Sequence, residues 1–265
     1  MLPDIIEIFR NSGKKTIIDV FGGSGKILLN TDARVKIYND LNDDVVDFFE
    51  EVRNNKDAVL EKLKYTINSR ELFTRYKEKT EDRTENVFRF FYRNMLSFNG
   101  MGSCYSYSSI RNKSTAISRM KDGIDACYNE IKSWTIERLD FRDLIKRYDS
   151  DNSFFYLDPP YHNIKGLYEY ELIDNDYIEM KALLDRIKGK YLLNINEDEF
   201  VLKVFGKPQI RKEYTNFGVN GRVDGKTQDH CEEDAKEAWV STRQTGKRNH
   251  HGIGAGKVNG SEWVN

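Results

Sequence analysis

Thr16-Ile17-Ile18-Asp19-Val20-Phe21-Gly22-Gly23-Ser24-Gly25-Lys26-Ile27-Leu28-Leu29 runs from an apolar strand through a glycine-rich turn into an apolar helical pattern. Glycines let a backbone approach a ligand closely at the carboxyl end of a parallel strand, where open α/β sheets bind their ligands. Two phosphate-binding patterns fail on this stretch. A P-loop needs G-x-x-x-x-G-K-[ST], but Val20 stands where its first glycine belongs and Ile27 replaces the hydroxyl. The dinucleotide pattern G-x-G-x-x-G fails because the glycines stand at 22, 23 and 25. What remains is a nucleoside ligand without a phosphate. Lys36-Ile37-Tyr38-Asn39-Asp40 then reads as a second strand ending in a carboxylate, about 20 residues beyond the first, where an acidic side chain commonly bonds ribose hydroxyls. A helix cap before Leu41 competes for Asp40.

Further along, the apolar run Ser153-Phe154-Phe155-Tyr156-Leu157 delivers Asp158-Pro159-Pro160-Tyr161. Two prolines fix φ and remove two N–H donors, so a stiff turn presents carbonyl acceptors and the strand cannot continue. Such a turn suits a flat substrate that carries an amino group. The carboxylate and a proline carbonyl can each accept one N–H of an exocyclic NH₂, and Tyr161 offers a ring for stacking. The competing reading is a strand that ends in a proline turn with a solvated aspartate.

Around these two stretches the pattern alternates. Leu2 to Phe9 predicts a helix, Asp43 to Arg53 a helix through Val45, Val46, Phe49 and Val52, and residues 114–133 another. Trp134 to Leu139 predicts a strand and Asp140 to Tyr148 a helix. Asp176 to Ile187 and Glu197 to Phe205 predict helices on either side of a strand from Lys190 to Ile195. Alternation of this kind implies a mainly parallel sheet covered on both faces. The acidic residues Asp43, Asp44, Asp47, Glu50 and Glu51 read as a solvated helix face.

Composition sets bounds. A chain of 265 residues can bury a substantial core, as one large domain or a core with an insertion. Its formal charge of −1 gives no global nucleic-acid signature, so a basic surface must be local. Three widely spaced cysteines, Cys104, Cys127 and Cys231, argue against a disulfide framework or a zinc site and fit a reducing cytoplasm. No signal peptide opens the chain, and no apolar run approaches transmembrane length.

One segment breaks the alternation. Phe88 to Lys121 carries six basic residues (Arg89, Arg93, Arg111, Lys113, Arg119, Lys121) and no acidic one, interleaved with aromatics. Phosphate contacts and base readout both call for that mixture. Phe88, Phe91 and Tyr92 stand at helical spacing and read as core; Arg93, Arg111, Lys113 and Arg119 read as the nucleic-acid contacts.

Taken together, Asp19-Val20-Phe21-Gly22-Gly23-Ser24-Gly25, the Asn39-Asp40-Leu41-Asn42 turn, Arg93 to Gly100, Asp140-Phe141 and the DPPY tetrapeptide resemble, from about Leu2 to Thr242, the DNA adenine-N6 methyltransferases that use S-adenosylmethionine. The resemblance implies an α/β fold: a Rossmann-like methyltransferase core with a mainly parallel sheet (residues 1–64 and 134–242) and an inserted, mostly helical target-recognition region (residues 65–133). It implies double-stranded DNA as substrate, S-adenosylmethionine as cofactor and Asp158, Pro159, Pro160 and Tyr161 as the catalytic turn. By the same resemblance Asp19, Phe21, Gly22, Gly23 and Gly25 lie near the methionine portion of the cofactor, Asp40 at its ribose, Asp140 and Phe141 at its adenine. Phe141 reads equally as a core residue. Asn99-Gly100 would open the loop that enters the groove. A cognate restriction endonuclease is a partner such proteins can have.

Departures set further expectations. The family usually opens with a lysine- and glycine-containing segment, whereas this chain begins at the following helix, with Lys14 and Lys15 too close to the first strand to replace it. A truncated start or weak cofactor binding is the expectation. Glu237 to Thr242 reads as the family's last strand, and residues 243–265, rich in Gly, Asn, His and Lys, as a disordered tail. A methyltransferase for another amino group, such as cytosine N4, and a catalytically impaired DNA-binding relative remain as alternatives.

Overall fold

The computed structural model describes residues 2–97, 102, 104–105, 114–163, 170–215 and 257–264. The predicted strands that fall on described residues form: β1 (Thr16–Asp19), β2 (Val35–Asn39), β3 (Thr135–Glu137), β4 (Ser153–Leu157) and β5 (Lys190–Asn196), followed by β6 (Ile210–Thr215) and β7 (Lys257–Val264). They lie in the order β3-β2-β1-β4-β5-β7-β6. The first five are parallel, and β7 runs antiparallel to β5. From β1 the chain steps outward to β2 and β3, then returns to β4 on the other flank of β1. That reversal leaves a crevice at the carboxyl ends of β1 and β4, the switch point at which open α/β sheets take ligands.

The helices are α1 (Leu2–Ser12), α2 (Lys26–Leu29), α3 (Asp43–Lys64), α4 (Arg70–Arg75), α5 (Arg83–Leu96), α6 (Ser114–Ile131), α7 (Phe141–Tyr148), α8 (Asp174–Leu184) and α9 (Glu199–Phe205). Side chains alternate across a strand, so each central strand serves two cores. Ile18, Val20, Phe155, Leu157, Leu193 and Ile195 pack against α7, α8 and α9 through Phe141, Leu144, Met180, Leu184, Val201 and Phe205. On the opposite face Phe154 meets Phe9 of α1, with ring centroids 5.5 Å apart, and Tyr38 meets Phe49 of α3 at 4.7 Å.

The described chain divides into two compact units, one of Met1–Lys56, Gly123–Glu213 and Asn259–Asn265, the other built on Asp57–Asp122. The divisions fall at 56/57, within α3, and at 122/123, within α6, whereas the expected boundaries are 64/65 and 133/134. A departure from helical geometry at Asn55 (φ −134°, ψ 34°) marks the first. Asn55 Nδ2 donates to Glu51 there, and Glu51 is buried, which corrects its reading as part of a solvated face. Asp43 and Asp47 are also tied, both accepting from Arg138.

In the second unit Asp82 caps α5, accepting from the Glu85 N–H at 3.1 Å. Phe88 and Tyr92 are buried as the helical spacing predicts, and the Tyr92 hydroxyl donates to the Ile67 carbonyl at 2.8 Å.

One correction concerns the end of the chain. Residues 257–264, read from composition as part of a disordered tail, form β7. Leu192 to Asn196 would otherwise leave a row of unpaired backbone groups on the outer edge of β5, and an eight-residue segment satisfies them despite its polar composition. The strand expected from Glu237 to Thr242 lies outside the described residues. Among the described residues, no helix is long and apolar enough to cross a membrane.

Candidate active site

Register brings the chemistry together before any side chain is placed. Asp19 aligns with Tyr38 on β2 and with Tyr156 on β4, and Tyr156 aligns with Leu192 on β5. Two residues past Tyr156 comes Asp158, and two past Leu192 comes Asn194. With a side-chain period of two, Asp19, Tyr38, Tyr156, Asp158 and Asn194 share the sheet face that the α7–α9 core does not use.

The contacts follow. Asn194 Nδ2 donates to Asp158 Oδ1 at 2.9 Å, and the Tyr156 hydroxyl donates to Asp158 Oδ2 at 3.3 Å. Asn194 is 1% exposed, and its Oδ1 has no partner among the described residues. Asp19 is equally buried, and neither of its carboxylate oxygens has one. A polar group buried without a bond costs free energy, more so if charged, so these acceptors point to a donor-bearing or cationic ligand. Burial raises the Asp19 pKa well above the usual carboxylate value, and the charges of Asp158 and then Asp40 raise it further.

The glycine loop is built on Tyr38. Its hydroxyl donates to the Gly23 carbonyl at 2.7 Å. A Cβ on Gly22 would lie 2.3 Å from Tyr38 Cε2, so the close approach admits only glycine. At Gly25, φ is +66°, a left-handed conformation that turns the chain into α2. Asp40 accepts from the Gly23 N–H at 2.7 Å and from the Asn42 N–H at 2.8 Å. Asp40 thus closes the glycine loop and the turn before α3, whose Val45 N–H is capped by Asn42. A carboxylate has about four acceptor sites, so capacity for hydroxyls remains. Burial raises its pKa, outweighing the N–H bonds from Asn42, Gly23 and Leu41.

Asn39 locks three strand ends. Its Nδ2 donates to the carbonyls of Val20 and Leu139, and its Oδ1 accepts from the Leu139 N–H. Just beyond, Asp140 caps α7 through the Arg142 N–H at 2.9 Å. Its carboxylate pairs with the Arg142 guanidinium, which also binds Asp176 and Glu179. Phe141 is 3% exposed and lies in the core, and the half-buried Phe21 packs on it with centroids 6.1 Å apart. Of the two readings of Phe141, packing is the one its burial shows.

Around the DPPY turn, Pro159 is buried while Asp158, Pro160 and Tyr161 are half-buried. The Tyr177 hydroxyl donates to the Pro160 carbonyl at 2.7 Å. Sequence reading missed Asn194, Tyr156 and Tyr177. An asparagine in the middle of Lys190–Asn196, a strand otherwise dominated by apolar residues, was the available signal.

The basic segment is only partly described. Arg93 donates through Nη2 to the Gly102 carbonyl at 2.5 Å and lies over the Phe73 ring at 5.9 Å. Asn99, Gly100, Arg111 and Lys113 lie outside the described residues, and so does the Arg119 side chain. Among the described residues, no cluster of three or more His, Cys, Asp or Glu side chains is placed to hold a metal ion.

Comparison with known proteins agrees with this geometry. Residues 1–216 match the model of the D12 class N6 adenine-specific DNA methyltransferases. The chain is also 22% identical to the Type II methyltransferase M.CviBI of Paramecium bursaria Chlorella virus NC1A, over 78% of this chain and 84% of the relative.

Proposed function

Because the chain belongs to the D12 class N6 adenine-specific DNA methyltransferase family, we propose that it transfers a methyl group from S-adenosylmethionine to the N6 amino group of an adenine flipped out of double-stranded DNA. The observation that carries this reading is the pair of buried acceptors without partners among the described residues, the Asp19 carboxylate and Asn194 Oδ1, on the same sheet face as Asp158. S-adenosylmethionine is cationic at sulfur and ammonium, and when bound it supplies an electrophilic methyl carbon on a good leaving group. The residues present fit it. Asp19 and Asn194 accept from its cationic end, the Gly22 to Gly25 loop lets it approach the backbone, and Asp40 takes its ribose hydroxyls. Asp140, which caps α7, takes the adenine.

The substrate amine is a poor nucleophile because its lone pair is delocalised into the purine ring. Inside a duplex it cannot be aligned, so the base must leave the stack, at a cost of a few kcal/mol. Stacking on Tyr161 offsets part of that. Asp158 and the Pro159 carbonyl each accept one N–H, which turns the nitrogen toward tetrahedral geometry. The Pro160 carbonyl accepts from the Tyr177 hydroxyl, which holds the turn in place. Asn194 and Tyr156 hold the Asp158 carboxylate in place for this, and positioning is the main contribution to rate.

Arg111, Lys113 and Arg119 supply phosphate contacts in this proposal, with Asn99-Gly100 entering the groove. Arg93 bonds to the Gly102 carbonyl. The Type II designation of the relative supports site-specific modification here, with a cognate restriction endonuclease as the matching partner. Asp158→Ala should abolish methyl transfer while S-adenosylmethionine binding by calorimetry persists; undiminished transfer would overturn the assignment.

A further inference from the structure

His162, the residue directly after the DPPY tetrapeptide, takes no part in the chemistry described so far. It is 7% exposed. Its ring lies between two carboxylates on different helices: Nδ1 is 2.5 Å from Asp198 Oδ2, at the start of α9, and Nε2 is 3.1 Å from Asp174 Oδ1, the first residue of α8. One face stacks on Phe200 with centroids 4.4 Å apart, and Tyr177 stands edge-on at 5.4 Å. The backbone is held as well. The His162 N–H donates to Asn196 Oδ1 at 2.8 Å, and its carbonyl accepts from Asn196 Nδ2 at 3.1 Å.

A neutral imidazole has one donor and one acceptor nitrogen, so it satisfies one carboxylate and repels the other. The arrangement is fully bonded only when both nitrogens carry protons. Among the described residues, the charged groups facing the ring are Asp174 and Asp198, and the one other titratable group against it, the Tyr177 hydroxyl, is turned to Pro160. Burial works against a charged ring, but the bonds to Asp198 and then Asp174, with their charges, raise its pKa above the ordinary histidine value.

We propose that His162 is a positioning residue whose imidazolium form clasps the Asp158–Tyr161 turn to α8 and α9, so that the turn presents the substrate amine correctly only while the ring is doubly protonated. The argument has two supports. His162 is covalently next to Tyr161, and Tyr177, which packs on the ring, also holds the Pro160 carbonyl. Loss of the ring proton above its raised pKa leaves one carboxylate facing a lone pair and loosens the far end of the turn. Methyl transfer then falls on the alkaline side of neutrality, through kcat rather than cofactor affinity. This inference rests on the methyltransferase reading for its kinetic arm alone.

The experiment uses the full chain and the variant Asp198→Asn. Asn caps a helix as well as Asp, so the bond from the Val201 N–H to position 198, now 2.8 Å, is kept while the charge is removed. The His162 ring is titrated by NMR, with its signal among the chain's four histidines assigned through His162→Gln. Single-turnover transfer to duplex DNA is measured across the same pH range at saturating S-adenosylmethionine. In the wild type the alkaline fall in rate should track the ring pKa. In Asp198→Asn both should move down together by about one pH unit or more, the size of shift that one neighbouring charge produces. A ring pKa that moves while the rate profile stays fixed overturns the clasp, as does a ring pKa that does not move. Absence of any wild-type transfer would sink the methyltransferase reading instead. In that case exchange of the His162 amide, faster above the ring pKa in the wild type and from a lower pH in the variant, still tests the clasp; pH-independent protection overturns it.

Discussion

Asn194 on β5 donates to the carboxylate of Asp158 across the β4–β5 pair at 2.9 Å, with its own carbonyl oxygen buried and unpartnered among the described residues. The residues lie 36 apart in sequence and meet because Tyr156 aligns with Leu192 and the next same-face positions carry polar side chains. In the proposed site, one amide thus serves the Asp158 carboxylate with its donor and the cofactor with its acceptor.

Replacing that amide should therefore affect both partners. A hydrogen bond to a charged group is worth about 1.5–3 kcal/mol. Asn194→Ala is expected to lower the single-turnover rate by roughly 10- to 150-fold, at about 1.4 kcal/mol per factor of ten. It should also weaken S-adenosylmethionine binding. A rate within about twofold of wild type would show that Asp158 needs no such support.

Asp19 makes stability depend on pH in a defined direction. Its folded pKa is raised by burial and by the charges of Asp158 and Asp40, so the folded protein holds a proton that the unfolded chain gives up near pH 3.9. Stability from this group is fully present below about pH 3.9 and is lost as pH rises toward the folded pKa. Denaturant unfolding of the apoprotein should accordingly show a downward contribution with rising pH that Asp19→Asn removes. A cationic ligand favours the ionised carboxylate, so cofactor binding should release a proton and tighten as pH rises. Identical pH slopes for wild type and Asp19→Asn would refute this.

Much of the fold was legible because it rests on local pattern. The runs 16–19, 35–39, 153–157 and 190–196 are apolar enough to read as strands, and the helices expected over Asp140 to Tyr148 and Glu197 to Phe205 form as α7 and α9. The glycine turn and the DPPY turn each end such a run, and the strand order then places both at the switch point. What stayed hidden depends on pairing between distant segments. Asn194 looks like a flaw in an apolar strand until the register sets it opposite Asp158. Arg142 reads as a helix surface residue, yet it gathers Asp140, Asp176 and Glu179. The strand at 257–264 escaped because its composition is that of a loop and its partner is the open edge of β5.

The glycine loop offers a steric test. Gly22→Ala would place a Cβ 2.3 Å from Tyr38 Cε2, and Tyr38 is held by its bond to Gly23 and by Phe49. Overpacking of this kind costs about 1–3 kcal/mol. In a Tyr38→Leu background the cost should shrink, since the two substitutions act on one contact. Thermal unfolding of the four proteins measures the coupling, and strictly additive effects would contradict the close approach.

The central claim is tested most directly by incubating the protein with S-adenosylmethionine labelled in the methyl group and unmethylated duplex DNA, then digesting the DNA to nucleosides for mass spectrometry. The account predicts label in N6-methyladenine with the wild-type chain and none with Asp158→Ala. Label in N4-methylcytosine, or no label despite measurable cofactor binding, would contradict it.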